Sequence, residues 1–220
     1  MSQVPAFSVE DVKIDAGNVE LSGSLTLPES AKALVVFVHG SGSSRFSPRN
    51  RYVAEVLQKA GLATLLFDLL TPDEEIVDER TRALRFDIEL LSERMVATVD
   101  WVGRQSKLQG LKLGLFGAST GAAAALITAA TRPQRVQAVV SRGGRPDLAA
   151  SALPAVEAAT LLIVGGEDTV VIDLNQQAAE RMTSRHKLVI VPGATHLFEE
   201  PGKLEEVAGL ARDWFLEDLT

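Results

Sequence analysis

From residue 33 onward the chain repeats one pattern: a short apolar run without polar alternation, then a longer stretch with helical spacing. The runs are Ala33–Val38, Ala63–Phe67, Leu111–Phe116, Val136–Val140, Thr160–Val164 and Lys187–Val191. A strand with one wet face alternates polar and apolar residues. These runs do not, so they suit strands covered on both faces, as in a parallel sheet. The intervening stretches predict helices over about 50–60, 87–105, 120–131, 173–184 and 203–218. In the second of these, Phe86, Leu90, Leu91, Met95, Val99 and Val102 recur at spacings dominated by threes and fours. Repeated strand–helix units joined by right-handed crossovers predict a doubly wound α/β sheet. Upstream, Val9, Val12, Ile14, Val19, Leu21, Leu25 and Leu27 sit near period two around Asp15-Ala16-Gly17-Asn18. That pattern predicts an antiparallel hairpin over 7–27, at one edge of a mostly parallel sheet of about eight strands.

The chain has 220 residues, which fits one domain over 1–220 with room for a full core. Two segments, 68–86 and 142–159, read as loops longer than usual, and such loops are often functional. Neither is long enough for a separate cap domain. The net charge of −7 and the scattering of basic residues among acids argue against nucleic acid or an anionic membrane as partner. The apolar runs fall far short of the ~20 residues a membrane helix needs. Met1-Ser2-Gln3-Val4-Pro5 has neither a basic start nor an apolar core, so no signal peptide is expected and the chain reads as cytoplasmic. There is no cysteine, which removes disulfides, thiolate metal sites and a cysteine nucleophile together.

The strand Leu111–Phe116 runs straight into Gly117-Ala118-Ser119-Thr120-Gly121 and then into an alanine-rich helix. A serine at the tip of such a strand–turn–helix is lifted above the sheet, with residues two before and two after crowding its backbone, so glycine is needed there. The helix N-terminus behind it favours negative charge. A serine that merely caps the helix is the plainer reading of the motif alone. A phosphate loop fails in detail, because no lysine follows the second glycine.

A serine hydroxyl needs a general base in reach and a third group to orient that base. His196 follows the last strand and Asp168 follows Leu161–Val164, so both emerge at the carboxyl edge of the sheet, where Ser119 also lies. The order Ser119, Asp168, His196 is that of a Ser…Asp…His triad on an α/β scaffold. Glu167 is the runner-up acid and Asp147 a distant third. His186 reads as a surface residue at a strand start, and His39 as a residue that orients the loop after the third strand. In that loop, His39-Gly40-Ser41-Gly42-Ser43-Ser44, small residues let the chain approach a substrate carbonyl. The backbone N–H groups of Ser41 and Thr120 are the expected oxyanion-hole donors. Arg142 and Arg145 lie just past the sixth strand, where they either recognise a substrate carboxylate or are ordinary surface arginines of a loop.

These residues resemble the α/β-hydrolase superfamily from about residue 17 to 218. The likeness rests on His39-Gly40, the Gly117–Gly121 elbow, Gly165-Gly166-Glu167-Asp168 and Gly193-Ala194-Thr195-His196. The compact size without a cap resembles the dienelactone hydrolase-like branch. Dienelactone hydrolases proper carry a cysteine nucleophile, and here Ser119 stands in a chain with no cysteine, which favours ordinary ester chemistry. The resemblance implies a serine hydrolase of carboxylesterase type acting on a small-molecule ester, needing no metal or cofactor. A thioesterase, lactonase or acyltransferase would use the same triad, and a non-catalytic binding protein of this fold would not need it. A dehalogenase would want aspartate at position 119.

Overall fold

The computed structural model describes residues 7–220; the Met1–Pro5 stretch lies outside them. Eight strands form one sheet: β1 (Phe7–Asp15), β2 (Glu20–Pro28), β3 (Ala33–Val38), β4 (Ala63–Phe67), β5 (Lys112–Ala118), β6 (Val136–Arg142), β7 (Ala159–Gly165) and β8 (His186–Val191). Their spatial order is β1-β2-β4-β3-β5-β6-β7-β8. The β1–β2 and β2–β4 pairs are antiparallel and all others parallel. The hairpin thus sits at one edge, closed by a turn in which the Gly17 N–H donates to Asp15 Oδ1 at 2.9 Å and Gly17 takes φ 85°.

Because side chains alternate across a strand, each central strand feeds two cores. In β3, Leu34, Val36 and Val38 join the core that also holds Leu91, Met95 and Val99 of α3 (Ile88–Arg104) and the alanines of α4 (Thr120–Thr131). Ala33, Val35 and Phe37 face the opposite core, with Val53 and Leu57 of α1 (Pro48–Lys59) and Trp214 and Phe215 of α6 (Lys203–Leu219). A Cβ on Gly114 of β5 would lie 2.7 Å from the Phe215 ring, so the bare backbone there admits the α6 aromatic. Among the described residues no helix is long and apolar enough to cross a membrane.

Four expectations shift. Segment 68–86 is not all loop: it contains α2 (Pro72–Thr81), opened by a capping box in which Thr71 Oγ1 accepts from the Glu74 N–H and Glu74 accepts from the Thr71 N–H. Segment 142–159 begins as strand, since Arg142 is the last residue of β6, and continues through two short 3₁₀ turns at Pro146–Ala149 and Leu153–Ala155. Helix α5 (Thr169–Arg181) starts four residues earlier than the periodicity implies, directly after Asp168. Strand β8 is not covered on both faces. It is the outer strand, and Ile190 is 41% exposed.

Candidate active site

Strand β5 delivers the chain to Ser119, which takes φ 51° and ψ −122°, a left-handed backbone that a serine adopts only under constraint. The constraint is visible on both sides. The Ser119 N–H donates to the Arg142 carbonyl at 3.1 Å, and the Ser119 carbonyl accepts from the Ala122 and Arg145 N–H groups at 3.1 and 3.2 Å. A Cβ on Gly117 would lie 2.5 Å from Ala122 Cα. One on Gly121 would collide with the carbonyl oxygens of Val38 and His39. The two glycines therefore let helix α4 close down on β3 and β5, which is what tips the serine side chain outward.

His196 and Asp168 arrive together because the loops after β7 and β8 interlock. The Gly166 N–H donates to the Val191 carbonyl at 2.8 Å and the Glu167 N–H to the Ala194 carbonyl at 3.0 Å. A Cβ on Gly165 would lie 2.6 Å from the Thr195 carbonyl oxygen, so this approach also needs glycine. The His196 loop is further pinned by buried Phe198 and by Glu200, which accepts from Thr195 Oγ1 at 2.6 Å and from the Thr195 N–H at 3.1 Å. The result is a continuous line. His196 Nδ1 meets Asp168 Oδ2 at 2.6 Å, and His196 Nε2 faces Ser119 Oγ at 3.4 Å. With the imidazole protonated on Nδ1, Asp168 accepts from His196 and His196 accepts from the serine hydroxyl.

The other candidate acids and histidines stand apart from this line. Glu167 points to solvent, and Asp147 is held by a two-pronged ion pair with Arg145, both contacts 2.8 Å. His186 is exposed at the start of β8, with Nδ1 2.8 Å from the Ser184 carbonyl. His39 is buried. Its Nδ1–H donates to the Gly40 carbonyl at 3.0 Å, and its Nε2 accepts from the Leu69 N–H at 3.1 Å. Burial lowers its pKa, outweighing the Gly40 hydrogen bond and the Asp68 charge. It joins the loop after β3 to the loop after β4.

That first loop packs on Ser119: a Cβ on Gly40 would lie 3.1 Å from Ser119 Cβ. Thr120, the first residue of α4, has no carbonyl one turn back within the helix to receive its N–H. The Ser41 N–H does have a partner, donating to Thr120 Oγ1 at 3.0 Å, and Thr120 Oγ1 lies 3.3 Å from Ser41 Oγ. The motif names position 120 for its backbone and says nothing of its side chain, so this link was not legible in sequence. Beyond Gly42, Arg85 leans over the loop, held by buried Asp78 through Nε at 2.6 Å.

Arg142 departs from the surface-loop reading. It is 7% exposed, and its Nε and Nη1 are sealed from solvent without a partner among the described residues. Burial, and secondarily the like charge of Arg49, lower its pKa to about 10. Its side chain continues the β6 face that carries Ala138 and Val140, beneath α1 and α6, because the strand persists two residues further than the apolar run.

The strand order and the glycine-bracketed strand–turn–helix after β5 define an α/β-hydrolase fold. The profile of the dienelactone hydrolase family matches residues 21–215, and the chain belongs to that family. It is 59% identical to a dienelactone hydrolase from Anabaena variabilis whose crystal structure superposes with a TM-score of 0.96, covering 99% of this chain and 100% of that one. A Pyrococcus furiosus esterase (20% identical, TM-score 0.77, 97% and 92% covered) shares the fold. So does a promiscuous dienelactone hydrolase-like phosphotriesterase from metagenomic libraries (17% identical, TM-score 0.79, 98% and 100% covered). Two Mycobacterium tuberculosis proteins, provisionally named phosphoribosyl transferases, are 58% identical over 215 residues. The match takes in 98% of this chain and 48% of theirs, so the chain spans about half the length of those relatives.

Proposed function

We propose that this chain is a serine hydrolase of carboxylesterase type that cleaves small, accessible esters through an acyl-enzyme on Ser119. The observation that carries the reading is the unbroken line from Ser119 Oγ through His196 to Asp168, 3.4 and 2.6 Å. His196 takes the serine proton as Oγ attacks the carbonyl carbon. Asp168 holds the imidazole tautomer and stabilises its positive charge. The Thr120 N–H and Ser41 receive the oxyanion, such donors being worth about 3–4 kcal/mol each in the transition state. His196 then returns the proton to the leaving alcohol, and water activated by the same imidazole releases the acid. Arg142, whose register partner on β5 is Ala118, the residue before Ser119, is read as the group that favours an acyl or alcohol part bearing a carboxylate.

The test is Ser119→Ala assayed on p-nitrophenyl acetate. We expect kcat to fall by at least about a thousandfold. Near wild-type activity in that variant, or a fluorophosphonate probe that labels wild-type protein anywhere but Ser119, overturns the assignment. A panel of esters, thioesters and lactones, with an added alcohol acceptor, ranks ester hydrolysis against the reactions that share this triad.

A further inference from the structure

The oxyanion site contains one more polar group than the reaction above uses. Three atoms are strung together: the Ser41 N–H, Thr120 Oγ1 at 3.0 Å and Ser41 Oγ at 3.3 Å from Thr120. The direction of this string is set by its first member, since an amide N–H can only donate. Thr120 Oγ1 therefore spends a lone pair on the Ser41 amide and has its own proton left to give. The neighbour within reach of that proton is Ser41 Oγ. With a lone pair so engaged, the Ser41 hydroxyl has its proton free for a third acceptor. Thr120 is 5% exposed, walled in by the first turn of α4, whereas Ser41 is partly exposed. The free end of the string is thus the end that can meet a ligand.

We infer that the Ser41 hydroxyl is an additional oxyanion donor, and that Thr120 is the positioning residue that aims and polarises it. Hydrogen bonds in a chain strengthen one another, because each donor made more positive by its own acceptor role gives its proton more readily. The arrangement also answers a difficulty in the simpler scheme. A Ser41 N–H already bonded to Thr120 must be shared with an oxyanion, and the hydroxyl carries its effect outward without breaking the resting bond. No bond to carbon is made or broken in this role; the hydroxyl proton stays on Ser41 throughout.

This inference rests on the ester-hydrolase reading, and the experiment separates the two. Wild type, Ser41→Ala, Thr120→Val, Thr120→Ser and the double variant Ser41→Ala/Thr120→Val are compared on p-nitrophenyl acetate, with KM and kcat resolved. Affinity for a phenylboronic acid, which mimics the tetrahedral intermediate on Ser119, is measured alongside. We expect Ser41→Ala and Thr120→Val each to lower kcat by about 10- to 100-fold, the loss of one hydrogen bond to developing charge. KM should stay within twofold and boronate affinity fall in parallel with kcat. Thr120→Ser, which keeps the hydroxyl, should restore most of the rate. The double variant should lose little more than either single one, because both remove the same string. A Ser41→Ala kcat within twofold of wild type overturns the inference. So does a Thr120→Val kcat that rises, which would mean the threonine only competes for the Ser41 amide, and so do losses that multiply in the double variant. Absence of Ser119-dependent turnover in the wild type instead sinks the underlying reading.

Discussion

At the scale of single residues, the site is built from exclusions as much as from contacts. Ser119 holds a positive φ because Gly117 and Gly121 let three backbones meet where any Cβ would intrude. Arg142 is the residue most at odds with its surroundings. A buried guanidinium with two nitrogens unpartnered among the described residues is costly unless something compensates it. If that something is a substrate carboxylate, Arg142→Gln should lower the preference for a p-nitrophenyl ester with a terminal carboxylate, over its uncharged analogue of equal length, by about 10- to 100-fold. Competition kinetics with the two esters check this, and an unchanged ratio discards the role. Ser119, Asp168 and His196 could be singled out as candidates from the sequence because each follows its own strand in the order a triad would require. The burial of Arg142 was not legible there, because the apolar run stops at Val140 while the strand persists to Arg142. Nor was the Thr120 hydroxyl, since a threonine after the nucleophile looks like any helix-starting residue.

At the scale of elements, α2 shows what periodicity misses and local chemistry keeps. Of its ten residues only Asp78 is buried, while Ile76 and Val77 are more than half exposed. A helix without an apolar stripe leaves no mark in a hydrophobic pattern. Thr71-Pro72-Asp73-Glu74 nonetheless spells a capping box with proline at the first helical position. The helix depends on that box and on the 2.8 Å Glu74–Arg94 ion pair to α3. Thr71→Ala should therefore cost about 1 kcal/mol. It should lower Tm by about 2–4 °C and speed amide exchange across 72–81 before other helices respond. Exchange unchanged in that segment would mean the Glu74–Arg94 bridge alone holds it. Strand β8 failed for the converse reason. Its composition is that of an interior strand, and only the sheet order places it at the rim.

At the scale of the whole molecule, the two-sided, mostly parallel sheet followed from the alternation of apolar runs and helices while its strand order did not, and the burial of His39 ties that sheet's stability to pH. Burial holds its folded pKa below the ordinary 6.5, so near and below pH 6.5 the unfolded chain binds a proton that the folded chain refuses. Stability is then full above 6.5 and is lost as pH falls toward the folded value, by up to about 1.4 kcal/mol per pH unit. The carboxylates of Asp78 and Asp100, whose pKa values are lowered, weaken the fold only at more acidic pH, so the windows separate. Thermal melts from pH 7.5 to 5 should show Tm falling in wild type and a flatter profile in His39→Gln. A slope shared by both proteins would assign the effect elsewhere.

The interlocked loops after β7 and β8 have a consequence for the making of the protein. On the reading proposed above, the nucleophile and the base are 77 residues apart in the chain, and the contacts that seat the base are made by Val191, Ala194, Thr195, Phe198 and Glu200, all in the last part of the site to be translated. At roughly 5–20 residues per second, Ser119 is synthesised some 4–15 s before His196 exists. On that reading, a ribosome carrying this chain bears a serine that is chemically silent until its base has been made.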